Sequence, residues 1–140
     1  MSNNDAWTDD QSKALDALEK WSVTPGGAPS SALLGLAGTG KTTVATELIA
    51  RLQAHGLSTI ICAPTGKAAS VLRRKGAEHA RTLHSAIYSL DEARSTPEKM
   101  AWVVREDARR ATLAIVDEAS MLTTEMLSDL AGVVKRILLV

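Results

Sequence analysis

The chain reads as an α/β protein built on a mainly parallel sheet with helices on both faces. Three observations predict this. The apolar runs at residues 32–36, 57–63, 111–116 and 136–140 are continuous rather than alternating, as strands buried on both faces require. Segments of helical character separate the runs, which is the pattern of strand–helix–strand crossovers. The first run also leads straight into a glycine-rich loop, LLGLAGTGKT, that opens a helix.

At 140 residues the chain is sized for one domain, 1–140, with a core of its own. Hydrophobic content is 45%, and no stretch approaches the roughly 18 apolar residues of a membrane span. The opening, MSNNDAWTDD, is polar and acidic, unlike a secretory or transit peptide. The single cysteine, Cys62, excludes an internal disulfide and suits a reducing compartment, so a cytoplasmic location is expected. Sixteen basic and sixteen acidic side chains cancel. Local charge is more informative: Lys67, Arg73, Arg74, Lys75 and Arg81 stand against Glu78 alone between Pro64 and His84. That stretch is either a solvated basic helix face or a surface facing a polyanion.

Element by element, Thr8 caps a helix over DDQSKALDALEKW, with acids in the first turn and Ala14, Leu15, Leu18 and Trp21 at helical spacing. SVTPGGAPSS is a loop by composition. Residues 32–36 form a buried strand, and TTVATELIARLQAHG a helix ended by Gly56. LSTIICA is the second strand, KAASVLRRKG a helix stopped by Gly76, and TLHSAIYSL a short helix. Residues 91–109 are charged and irregular apart from MAWVV. ATLAIV is a third strand ending in DEAS, followed by a helix over about 124–131 and a last strand, RILLV. Because the chain stops inside an apparently buried strand, either truncation or an edge strand is implied, and truncation is the expectation.

Gly35, Gly40, Lys41 and Thr42 satisfy the phosphate-loop pattern G-x-x-x-x-G-K-[ST] after a strand and before a helix. Glycines let successive backbone N–H groups turn inward on a phosphate, and the helix N-terminus adds its positive dipole end. The nucleotide-binding set is therefore Gly38, Thr39, Gly40, Lys41, Thr42 and Thr43. Lys41 reaches the β- and γ-phosphates and has a catalytic role, while Thr42 offers a hydroxyl to Mg²⁺. The plain alternative is a glycine-rich turn with a chance Lys-Thr.

A Mg²⁺–triphosphate site needs a carboxylate from a neighbouring strand, and Asp117 lies at the C-terminal end of one, where ligands bind in open parallel sheets. Glu118 follows as the candidate general base that activates water. ATP and Mg²⁺ are the expected cofactors. Two acids in a solvent-facing turn are the plain alternative, and the upstream loop weighs against it.

The segments WTDDQSKAL, GLAGTGKTT, CAPTGKAASVLRR, ARTLHSAI and AIVDEASML resemble, in order and spacing, superfamily 1 DNA helicases of the RecD/Dda type. Trp7 departs from the Leu or Phe usual in the first segment. The resemblance runs from residue 7 to 140 and implies the first RecA-like motor domain, with a P-loop NTPase fold. It implies that Gln11 reads adenine through its amide, and that Pro64, Thr65, Lys67, Thr82 and His84 lie along single-stranded DNA. It also implies an insertion at about 91–107, often a β-hairpin, in which Trp102 either packs against the domain, the favoured reading, or stacks on a base. A second RecA-like domain in the complete protein and 5′-to-3′ movement are further implications. Two rivals remain: a P-loop phosphotransferase, which needs a lid with arginines and an acceptor pocket, and a non-catalytic nucleotide- or DNA-binding module.

Overall fold

The computed structural model describes residues 7–36, 38 and 40–140. Helix α1 (Asp9–Val23) starts in a capping box: the Thr8 hydroxyl accepts from the Gln11 backbone N–H at 3.1 Å, and Oε1 of the Gln11 side chain accepts from the Thr8 N–H at 3.0 Å. Its last turn is clamped by Arg136, whose guanidinium donates to the Trp21 and Thr24 carbonyls and stands 5.6 Å from the Trp21 ring centroid.

Strand β1 (Ser30–Ala32) precedes the glycine loop, and helix α2 (Lys41–Ala54) follows it. Then come β2 (Thr59–Ala63), α3 (Gly66–Arg74), β3 (Arg81–Thr82) and α4 (Leu83–Ile87). Strands β4 (Tyr88–Leu90) and β5 (Trp102–Val104) form an antiparallel pair of their own. Helix α5 (Glu106–Arg110), strand β6 (Leu113–Val116), a 3₁₀ turn at Ala119–Met121, helix α6 (Thr124–Ala131) and strand β7 (Arg136–Leu139) complete the order.

The main sheet has five strands in the order β1-β7-β6-β2-β3, all parallel. Successive side chains on a strand face opposite ways, and here that divides the interior in two. Ile61, Ile115 and Leu138 join Leu15, Leu48, Leu52 and Leu72 on one face. Cys62, Val116 and Ile137 join Ile87, Leu130 and Val134 on the other. The parallel sheet covered on both faces is thus as the sequence predicts.

Three expectations change. The first strand is Ser30–Ala32 at an edge, not a buried strand at 32–36; Leu34 and Leu36 are 87% and 80% exposed. The chain leaves the sheet at Leu33, whose N–H still bonds Leu139, to build the loop. Helix α4 covers only the start of TLHSAIYSL, because Tyr88–Leu90 pairs with Trp102–Val104. The hairpin therefore begins before residue 91, and its second strand ends at Val104, ahead of α5. The edge-strand alternative for residues 136–140 is excluded, since β1 and β6 flank β7 on its two sides.

Candidate active site

All the candidate groups sit where the parallel strands end. The glycine loop follows β1, Pro64 and Thr65 follow β2, Thr82 closes β3, and Asp117 follows β6. Register fixes this rim: Ala63 pairs with Thr82, Cys62 pairs with Val116, and the Asp117 N–H bonds the Cys62 carbonyl at 3.0 Å. Loops at the carboxyl ends of strands are the usual ligand-binding side of such a sheet.

Within the loop, Gly38 and Gly40 have φ of +78° and +83°, conformations that side-chain-bearing residues rarely adopt. Gly40 is doubly constrained, because a Cβ there would run into Nε2 of Gln11. The capping box that starts α1 therefore also holds the Gln11 amide against the loop. Thr8 was legible in the sequence as a cap; the part Gln11 plays in the capping box and its contact with Gly40 were not. Lys41 folds back so that its Nζ donates to the Gly35 carbonyl at 2.8 Å. Thr42 and Thr43 lie in the first turn of α2. Thr39 lies outside the described residues.

The Thr42 hydroxyl stands 3.4 Å from Oδ2 of Asp117, 75 residues away. A hydroxyl and one carboxylate oxygen so placed suit Mg²⁺, a hard cation held by one or two carboxylates together with phosphate oxygens. The residues fit a Mg²⁺–nucleotide, although no cluster of three or more His, Cys, Asp or Glu exists among the described residues. Glu118 is exposed and has φ +54° and ψ +42°, the one positive φ at a non-glycine among the described residues. Its turn is pinned by Val140, which donates its N–H to Val116 at 2.9 Å and accepts from Ala119 at 3.1 Å. Backbone strain of this kind gathers at functional positions.

The nucleic-acid candidates form the other half of the rim. Thr65 caps α3, accepting from the Ala68 N–H at 3.2 Å, with Lys67 exposed in the first turn. Thr82 caps α4, accepting from the Ser85 N–H at 3.3 Å. His84 is exposed, 4.7 Å from the Trp102 ring edge-on and 5.1 Å from Tyr88. Trp102 is 48% exposed, so the expectation that it packs into the domain fails: it projects from the hairpin, against His84. Of the basic stretch, Arg73 closes the turn after α3 by donating to Ala80 at 2.7 Å, which gives it a structural task. Cys62, at the centre of this region, is buried, and burial pushes its thiol up to about 12, so it stays protonated and inert.

Helices α1 and α2 are tied by a charge network missed in the sequence. Arg51 reaches Asp16 at 3.1 Å, Glu19 at 2.8 Å and Glu47 at 3.4 Å, while His55 reaches Glu19 at 2.9 Å. Bonding to Arg51 and then to His55 holds the Glu19 carboxyl below its ordinary range. No helix among the described residues is long and apolar enough to cross a membrane.

A family model described as an AAA domain matches residues 7–140. A solved structure, a double mutant of Pif1 helicase from Bacteroides, superimposes with a TM-score of 0.62 at 23% identity. The match covers 95% of this chain and 31% of that one, so this chain spans about a third of the length of the solved helicase. Comparison with curated proteins returned no match.

Proposed function

Because the chain belongs to the AAA domain family, we propose that it is the N-terminal motor domain of an ATP-dependent DNA helicase, with the RecA-like fold it shares with the solved helicase. It binds and hydrolyses Mg²⁺·ATP at the rim of the parallel sheet and contacts single-stranded DNA beside it. The observation that carries this reading is the approach of Thr42 to Asp117 across 75 residues, directly beside Lys41 and Glu118.

Lys41 exchanges its bond to the Gly35 carbonyl for the β- and γ-phosphates, a contact between opposite charges in place of a neutral one. The amides of Gly38 and of residues 40–43, at the α2 N-terminus, hold the phosphate chain. When bound, Mg²⁺ neutralises phosphate charge and fixes the γ-phosphate. Thr42 and Asp117 hold the ion, and the exposed Glu118 carboxylate takes a proton from the attacking water. Gln11, already placed over Gly40, offers its amide to adenine. Pro64, Thr65, Lys67, Thr82 and His84 lie along the DNA backbone on the neighbouring strand ends. A second RecA-like domain in the complete protein, 5′-to-3′ movement and a cytoplasmic location belong to the same proposal.

The test is a pair of titrations of this chain. We expect Mg²⁺-dependent ATP binding that is lost in Lys41→Ala, and oligo-dT binding that weakens with salt. ATP binding indifferent to Mg²⁺ and to Lys41 would exclude this reading.

A further inference from the structure

Strand β3 is only two residues long beside the five of β2, and the reason is local. Gly76 ends α3 at φ +107°, the Ala80 N–H bonds the Ala77 carbonyl at 2.9 Å, and Arg73 pins the Ala80 carbonyl at 2.7 Å. The chain thus returns to the sheet only at Arg81, and β3 pairs with Cys62 and Ala63 alone. On that side Thr59, Ile60 and Ile61 have no strand partner among the described residues, while β6 pairs with them on the other.

This unpaired edge is the floor of a groove of about 540 Å³. Helix α2 supplies one wall with Ile49, Ala50 and Gln53, and the turn after α3 supplies the other with Ala77 and His79. A volume of several hundred Å³ is typical of binding sites, and this lining mixes apolar side chains with polar and charged ones. The groove is remote from the glycine loop along the strands, because Ser58 and Thr59 lie at the N-terminal end of β2 whereas the loop follows the C-terminal end of β1.

Charge narrows the occupant. Asp107, one of the lining residues, is already held by Arg105 through contacts of 3.0 and 3.2 Å. Arg81 makes no ion pair within 4.0 Å among the described residues and acts on Asp107 only at longer range, and His79 lines the same groove. Glu78 is the one lining acid outside such a pair.

We infer that this groove takes an extended peptide segment, about three to four residues at ~3.3 Å each, carrying an acidic side chain toward Arg81 and pairing as an added strand along Thr59, Ile60 and Ile61. Main-chain bonds to an open strand edge supply the affinity and the alternating side chains supply the selectivity. The inference is independent of the nucleotide reading above.

The test is a nuclear magnetic resonance titration of the isotope-labelled chain with two capped peptides, acetyl-Val-Glu-Val-Thr-amide and its Lys counterpart in place of Glu. Saturable shifts are expected at Thr59, Ile60, Ile61 and His79, with the Glu peptide binding about tenfold or more tightly than the Lys peptide. Arg81→Glu should reverse that order. Ala50→Trp, a change at an exposed helix position, should abolish both by filling the groove. Equal affinity for the two peptides, shifts that survive Ala50→Trp, or no saturable shift with either peptide at millimolar concentration would each overturn it; if Arg81→Glu fails to fold, Ala50→Trp decides.

Discussion

The hydroxyl of Thr42 faces the carboxylate of Asp117 at 3.4 Å, and the backbone immediately after Asp117 turns left-handed at Glu118. Parallel pairing places the two ends on one rim, since β6 connects to β1 through β7. A hydroxyl, a carboxylate and a strained exposed acid so arranged give the first prediction.

Glu118→Gln should leave nucleotide binding intact and slow hydrolysis by about 10²–10⁴-fold, the range for a lost general base. Glu118→Asn should be equally impaired yet more stable by about 1 kcal/mol, because asparagine tolerates the left-handed region better than glutamate. Urea melts and phosphate-release rates on the same samples check both. A variant that is less stable than wild type would show that the φ of +54° stores no strain.

Gly40→Ala should destabilise the chain by about 1–3 kcal/mol, from its positive φ and from the collision with Gln11 Nε2. In a Gln11→Ala background the collision is gone, so the same change should cost less. Gln11→Ala alone loses half of the capping box, worth about 1 kcal/mol. A double-mutant cycle measures the coupling, and strict additivity would mean that the two side chains do not meet.

Lys67→Ala should reduce oligo-dT affinity and flatten the slope of log K against log salt by roughly 0.7, the change for one phosphate contact on a single strand. It is the cleanest probe of this rim because Lys67 is exposed and caps nothing. Thr65→Ala would also remove the α3 cap, and Arg73→Ala would free the turn before β3. An unchanged slope would return the basic stretch to an ordinary solvated helix face.

Glu19 is held below the ordinary glutamate value of 4.5 by Arg51 and His55. Its folded value is therefore the lower one, and the unfolded chain takes up the proton first on acidification. The network's contribution is complete above about pH 4.5 and is lost as pH falls through the folded value. Wild type should accordingly be more stable than Glu19→Gln at neutral pH and low salt, with the gap closing below that point. Parallel thermal melts from pH 7 to 3 would show it, and a gap that is constant with pH would remove the carboxylate from the argument.

Much of the fold was legible because local signals and tertiary roles coincide. Helix α6 runs Thr124–Ala131, the span expected from the sequence, and the Thr8 cap of α1 is in place. The phosphate-loop pattern and DEAS were legible because their chemistry demands fixed residue types at fixed spacing. What failed was decided by distant partners. The Leu33, Leu34 and Leu36 run looks buried, yet burial depends on what covers it, and Leu34 and Leu36 face outward. Tyr88–Leu90 looks helical until it is paired with Trp102–Val104, and Trp102 looks like core until the hairpin carries it out beside His84. The Arg51 network joins side chains up to 36 residues apart, a relation no local window contains.

The sheet order also has a consequence for how the chain comes together in time. Strand β1 has β7 as its one strand partner among the described residues, with Ser30 matched to Ile137 and Ala32 to Leu139. During synthesis, β2, β3 and β6 can pair while β1 and the glycine loop after it still wait for residues 136–139 to emerge. Closing a loop of that length is entropically slow, and contacts of such separation form late. On the proposed function, nascent chains should remain unable to hold nucleotide until β7 slides between β6 and β1, because the glycine loop is then among the last parts to be anchored.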